Sequence, residues 1–246
     1  MSKLIAEIGL NHLGDKSTLK KMYKRLVFNE IYGVTVQILE DNYYDGSTKF
    51  RRELKIDTYK EMAMFLKKKK IKFGIATNNI QTINKFKSVR VDFWKIISPK
   101  FFDDKLISAA IKTKKDVYLS CGIASISDIT SKFRKYKKIK FIHTSFSDKI
   151  KDANLNAIEN IKKKIKRNIS FGLHARMIPL IISAITLKVE SIFFYVKFDD
   201  KKKYPDDSHA INIENLKNYL KDWKKISISM GDGIKRREKL PKWVFE

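Results

Sequence analysis

The chain has 246 residues, enough to bury a sizeable core, and 43% of them are hydrophobic, which excludes a disordered chain despite 33% charged residues. Basic residues outnumber acidic ones 53 to 27, for a net charge of +26, and 44 of the 53 are lysine. No zinc-ligand spacing, arginine-rich helix or aromatic-interleaved basic strand accompanies that charge, so it reads as a solvated surface with loose attraction to polyanions and not as sequence-specific nucleic-acid recognition.

In chain order, the first strand-like run is LIAEIGL at 4–10, reached almost directly from Met1 with no signal-peptide pattern ahead of it. Helical periodicity follows over Ser17–Glu30, then a second strand GVTVQIL at 33–39 and a helix over Thr58–Lys70. Further strands fall at 71–77 (IKFGIAT) and 92–98 (DFWKIIS), with a helix over Asp104–Lys114, and at 116–122 (DVYLSCG) and 139–145 (IKFIHTS). A helix over Leu155–Lys166 leads to strands at 168–174 (NISFGLH) and 191–198 (SIFFYVKF). Between these two, Met177–Val189 is the longest apolar stretch, but serine, threonine and lysine interrupt it, so it reads as a buried helix and not a membrane span. The single cysteine, Cys121, cannot form an internal disulfide, which fits a cytoplasmic protein.

Eight strand–helix units with no strand-only stretch and no low-complexity linker predict an α/β chain folded as a single (β/α)8 TIM barrel over residues 1–246. A doubly wound open sheet is the alternative, but no GxGxxG follows the first strand. A barrel places its site at the C-terminal ends of the strands. Those ends carry Glu7 with Asn11 and His12, then Gln37, Thr77, Lys95 with Ser98, Ser120, His143 and His174. The set is small, polar and positively charged, and suits an anionic ligand. Ser120-Cys121-Gly122 is either a tight strand-to-helix turn or a place where backbone and hydroxyl approach that ligand.

The order of motifs along this pattern resembles the sialic acid (N-acetylneuraminate) synthase family, which includes the pseudaminic and legionaminic acid synthases. IAEIGLNHLG at 5–14, WKIIS at 94–98, LSCGIAS at 119–125, FIHTS at 141–145, DANLNAI at 152–158, Pro205-Asp206 and GDGIKR at 231–236 carry the likeness. The resemblance implies condensation of phosphoenolpyruvate with an N-acyl mannosamine-type amino sugar to a nine-carbon 2-keto acid, in surface-polysaccharide biosynthesis. It implies a divalent metal, Mn²⁺ or Mg²⁺, polarising the sugar aldehyde. By position, Thr77, Lys95, Ser98 and Ser120 would hold phosphoenolpyruvate and Gln37 the sugar. Glu7 would sit near the reacting carbons, Asp206 near the forming hydroxyl or attacking water, and His174 on the metal. Barrel dimers in the family imply a homodimer.

The sequence also departs from the family pattern. Thr35-Val36-Gln37 stands where the family has K-F-Q or K-H-Q, and Phe146 and Asp148 replace residues that hold the sugar. The second metal histidine aligns with Tyr195 and an acidic residue with Phe193, so metal binding is expected to be weakened. The sequence reaches Glu246 shortly after GDGIKR, where relatives commonly continue into an antifreeze-like cap domain, so a divergent member without that cap is expected. A catalytically reduced homologue serving as a binding or partner protein is therefore the alternative reading.

Overall fold

The computed structural model describes residues 1–39, 53–147 and 149–237. Eight parallel strands close into a barrel: β1 (Lys3–Gly9), β2 (Ile31–Ile38), β3 (Lys72–Thr77), β4 (Phe93–Ile96), β5 (Asp116–Ser120), β6 (Lys140–His143), β7 (Ser170–Gly172) and β8 (Ser191–Lys197). Each pairs with the next, and β8 returns to β1 over Lys3–Glu7, which closes the ring. Helices α1 (Lys16–Arg25), α2 (Ile56–Lys68), α3 (Ile80–Lys85), α4 (Asp104–Lys112), α5 (Ile126–Lys135), α6 (Asn156–Ile165) and α7 (Leu180–Thr186) alternate with the strands. A short β9 (Ile211–Asn212) pairs with β8 and opens directly into α8 (Ile213–Ser229). The predicted barrel is the observed one.

Boundaries moved for local reasons. The helix expected over Ser17–Glu30 stops at Arg25. The stretch expected to be helical over Met177–Val189 forms α7 only from Leu180, because Pro179 takes the cap position and disfavours helix in the residue before it. Elsewhere the helices begin on local side-chain caps. Asp15 and Asn79 accept hydrogen bonds from Thr18 and Thr82 N–H, and Ser125 and Asp128 form a reciprocal capping box at the start of α5.

Alternation along the strands separates two cores. Leu4, Ala6 and Ile8 of β1, Trp94 and Ile96 of β4, and Phe194 and Val196 of β8 belong to the layer between strands and helices. The opposite parity supplies an inner plug of Ile5, Phe93, Tyr118, Ile142 and Phe193. Tyr118 meets Phe93 and Phe193 edge to face at centroid distances of 5.5 and 5.1 Å. Gly74 makes room for the Phe93 ring, since a Cβ there would lie 2.2 Å from it. The plug fills the barrel and leaves polar chemistry to the strand ends above it.

Candidate active site

Two residues above Ile5, Glu7 keeps the inward parity and meets Lys95, which lies two residues above Phe93. The Lys95 ammonium donates to both Glu7 carboxylate oxygens, at 2.5 and 2.8 Å, and both side chains are buried. Thr35 Oγ1 adds a weak third contact to Glu7 at 3.4 Å. Phe193 and Tyr195 place their rings 5.4 and 5.6 Å from the ammonium. Lys95 is thus held rigidly at the mouth, but its charge is balanced by Glu7. With Thr35 in place of a second lysine, this part of the site carries no net positive charge from the two.

The expected anion-binding hydroxyls are placed unequally. Ser120 is buried on β5 with the inward parity of Tyr118. Ser98 is buried just past β4, and its Oγ accepts the Gly122 N–H at 3.0 Å, tying two successive loops together. A Cβ at Gly122 would come to 3.0 Å from that oxygen and 3.2 Å from the Phe146 ring, so glycine lets the turn at 120–122 pack closely against both. Thr77 corrects the expectation that all these hydroxyls face one ligand. It shares the parity of the outward-packed Phe73 and Ile75, and its Oγ1 both donates to the Asn79 carbonyl and accepts the Asn79 N–H. Thr77 closes the turn into α3. Gln37 is half-buried on β2 with the parity of Thr35. His143, another strand-end residue, instead bonds the Ala153 carbonyl at 2.9 Å through Nε2, and Asp148 lies outside the described residues.

Asp206 enters from the loop between β8 and β9. Asn11, buried after β1, fixes this loop by accepting the Asp206 N–H through Oδ1 and donating to the Val196 carbonyl through Nδ2. The Asp206 carboxylate lies by Gly9 and Tyr195, where a Cβ on Gly9 would be 3.0 Å from Oδ2 and 2.7 Å from the phenol ring. Burial, and then the charge of Glu7, push the Asp206 pKa up from 3.8 to about 7, against an opposing pull from Lys95. Burial and the same two carboxylates hold the Tyr195 phenol well above its usual value, so it stays a neutral O–H.

Beside them His174 stacks on His209, with centroids 5.0 Å apart and ring planes 14° from parallel. Tyr195 stands edge-on to both, at 5.6 Å from His174 and 5.1 Å from His209, and the exposed Phe146 ring meets His174 edge to face at 6.5 Å. Burial, then Lys95 and His209, depress the His174 pKa to about 3, leaving a neutral imidazole. From the sequence, His209 is, with Asp206, a residue that could make up for the lost metal ligand, though no spacing demands it; the fold brings its Nε2 to 3.9 Å from Asp206 Oδ1.

A divalent ion does not fit this arrangement. An imidazole nitrogen ligates along a lone pair lying in the ring plane, and two nearly parallel planes at this separation offer no common point to one ion. Tyr195 is a neutral phenol, a poor ligand at neutral pH. Among the described residues no group of three histidine, cysteine, aspartate or glutamate side chains is arranged to hold a metal. Where a weakened metal site was expected, His174, His209 and Tyr195 pack ring against ring, with Phe146 exposed at their edge.

Residues 16–235 match the NeuB family. The chain is 22% identical over 265 residues to the N,N'-diacetyllegionaminic acid synthase of Campylobacter jejuni, covering 96% of this chain and 79% of that protein. It is 21% identical to the pseudaminic acid synthase of Helicobacter pylori, covering 94% of this chain and 76% of that one. The N-acetylneuraminic acid synthetase of Leptospira borgpetersenii, solved with citrate, superposes with a TM-score of 0.84 at 24% identity, covering 96% of this chain and 87% of the other.

Proposed function

The chain belongs to the NeuB family, and from that premise we propose that it condenses phosphoenolpyruvate with an N-acyl mannosamine-type sugar to a nine-carbon 2-keto sugar acid for surface polysaccharide. The convergence of the buried Glu7–Lys95 pair and the proton-carrying Asp206 at one barrel mouth supports this reading. In it, Lys95, Ser98 and Ser120 receive phosphoenolpyruvate, Thr77 shapes the turn beside them, and Gln37 meets the sugar. The enol carbon bonds to the aldehyde carbon, and the displaced carbonyl electrons collect on the aldehyde oxygen. In this reading Asp206, its pKa raised to about 7, gives that oxygen its proton. Water then adds to C2, and loss of phosphate from that carbon leaves the ketone. Glu7 holds Lys95 and faces the carbons that react. His174 belongs to the wall of the sugar pocket. A homodimer belongs to the same proposal and is read by analytical ultracentrifugation.

The second reading, a synthase homologue with reduced catalysis that binds a ligand or partner, is favoured by one observation: the packing of Phe146, Tyr195 and His209 around His174. Coupled phosphate-release and keto-acid assays across a panel of N-acyl hexosamines separate the two. Formation of a nine-carbon keto acid with stoichiometric phosphate establishes the first. Phosphoenolpyruvate binding by calorimetry with no turnover on any sugar establishes the second.

A further inference from the structure

The lysines that the linear sequence disperses are gathered by the fold. In a (β/α)8 barrel, helix C-termini and strand N-termini all lie at the pole opposite the mouth. Six successive helix-to-strand connections, from α2–β3 to α7–β8, cover residues 67–72, 85–92, 112–116, 134–140, 162–168 and 186–190. They carry 22 of the 53 basic residues and only three acidic ones, Asp92, Asp116 and Glu190. Those acids are already engaged. Asp116 and Glu190 share Lys140 at 2.9 and 3.0 Å, and Asp92 lies 3.5 Å from Lys72 while accepting the Phe73 N–H. Lys85, Lys135 and Lys162 pair with Glu53, Asp104 and Glu159 from neighbouring segments, and nearly all the other cations are exposed.

Two further observations single out this pole. Lys70, Lys114, Lys166 and Lys188 each close a helix in the left-handed conformation, at φ between 52° and 59°, where glycine or asparagine is the usual choice. Between β5 and β7, Lys114, Lys115, Lys137, Lys138, Lys140 and Arg167 line one cleft whose only acid is Asp116. Exposed apolar side chains do not separate the two ends: Met1, Val27 and Ile228 lie at this pole, and Phe102, Ile123, Phe146 and Ile150 lie on the loops at the mouth.

We propose that this pole docks on the anionic face of a lipid bilayer, leaving the mouth turned toward solvent. Of the 22 cations 19 are lysine, a point charge on a flexible stem that follows the charge density of a flat surface without needing fixed geometry. A nucleic acid would find phosphate contacts alone here, without arginine forks in number or a row of stacking rings. No described helix is long and apolar enough to cross a membrane, so attachment is to the surface. This inference stands independently of the reaction at the mouth.

The test is cosedimentation of the full chain with equimolar phosphatidylglycerol–phosphatidylcholine vesicles, against phosphatidylcholine alone. Binding is expected only to the anionic vesicles, and it should fall about tenfold or more between roughly 0.1 and 0.5 M salt. Lys115→Glu, Lys138→Glu, Lys163→Glu and Lys164→Glu combined should abolish it. The same charge change made on the mouth side, at Lys149, Lys151, Lys201 and Lys203, should leave most of it. A Lys→Gln set at the four polar positions, with circular dichroism on every variant, guards against misfolding of the charge-reversed chain. Equal losses from the two sets would show that net charge alone acts and overturn the proposal, as would no binding to anionic vesicles. Tighter binding to unrelated duplex DNA at equal phosphate concentration, lost in the polar variant, would overturn it in favour of nucleic acid.

Discussion

Tyr195 stands edge-on to two imidazoles that stack on each other, and its phenol replaces what the family resemblance placed there as a second metal-binding histidine. Returning Tyr195→His together with Phe193→Glu should tighten Mn²⁺ binding by about tenfold or more, read from loss of the free-ion paramagnetic resonance signal. Unchanged binding would mean that His209, stacked on His174, still blocks the ion. Asp206 gives a second residue-scale outcome with a definite sign. Its folded pKa of about 7 exceeds the unfolded 3.8, so the folded state binds the proton more tightly and stability falls as pH rises from about 4 to 7. Asp206→Asn should therefore be more stable than the wild type at pH 8, by about 1–3 kcal/mol, and level with it near pH 4. Urea midpoints at the two pH values check this, and a wild type that gains stability between pH 4 and 7 relative to the variant would contradict it. The Glu7–Lys95 contact was not legible beforehand. The two residues lie 88 positions apart, and only closure of the barrel across β1 and β4 brings them together.

The strands and helices themselves were largely readable, because period-two apolar runs and helical runs alternate cleanly and the caps are local. What the pattern misjudged was direction at strand ends. Thr77 occupies a strand C-terminus, as expected, but parity turns it away from the axis and its hydroxyl serves the turn into α3. β7 shows the same limit in length: a strand expected over 168–174 pairs only over Ser170–Gly172. The inner faces obey a stricter rule of volume. Gly33 and Gly74 both border the Phe93 ring, and a Cβ on Gly74 cannot be accommodated without moving it. Gly74→Ala should cost about 1–3 kcal/mol by overpacking. Adding Phe93→Leu should recover part of that loss, and thermal melts of the single and double variants measure the coupling.

At the scale of the whole molecule, a net charge of +26 opposes the compact state through self-repulsion, most of all where the helix-to-strand turns crowd lysines together. Raising sodium chloride from about 0.05 to 0.5 M shortens the Debye length from roughly 14 to 4 Å and should raise the melting temperature by several degrees. A flat or falling melting temperature over that range would mean that the surface ion pairs, such as Lys16–Glu61 and Arg25–Glu214, outweigh the repulsion.

By itself, the sequence determined the number and order of strand–helix units, the helix caps and the strand-end motifs that mark the family, because all of these are set by residues near one another in the chain. Only the tertiary structure decided which of those strand-end residues share a space: Glu7 with Lys95, Asn11 with Asp206, and His209 with His174. It also decided that lysines read as scattered belong to one pole. Handedness and closure of the barrel send every helix C-terminus the same way, so charges spread evenly along the chain accumulate at one end in space.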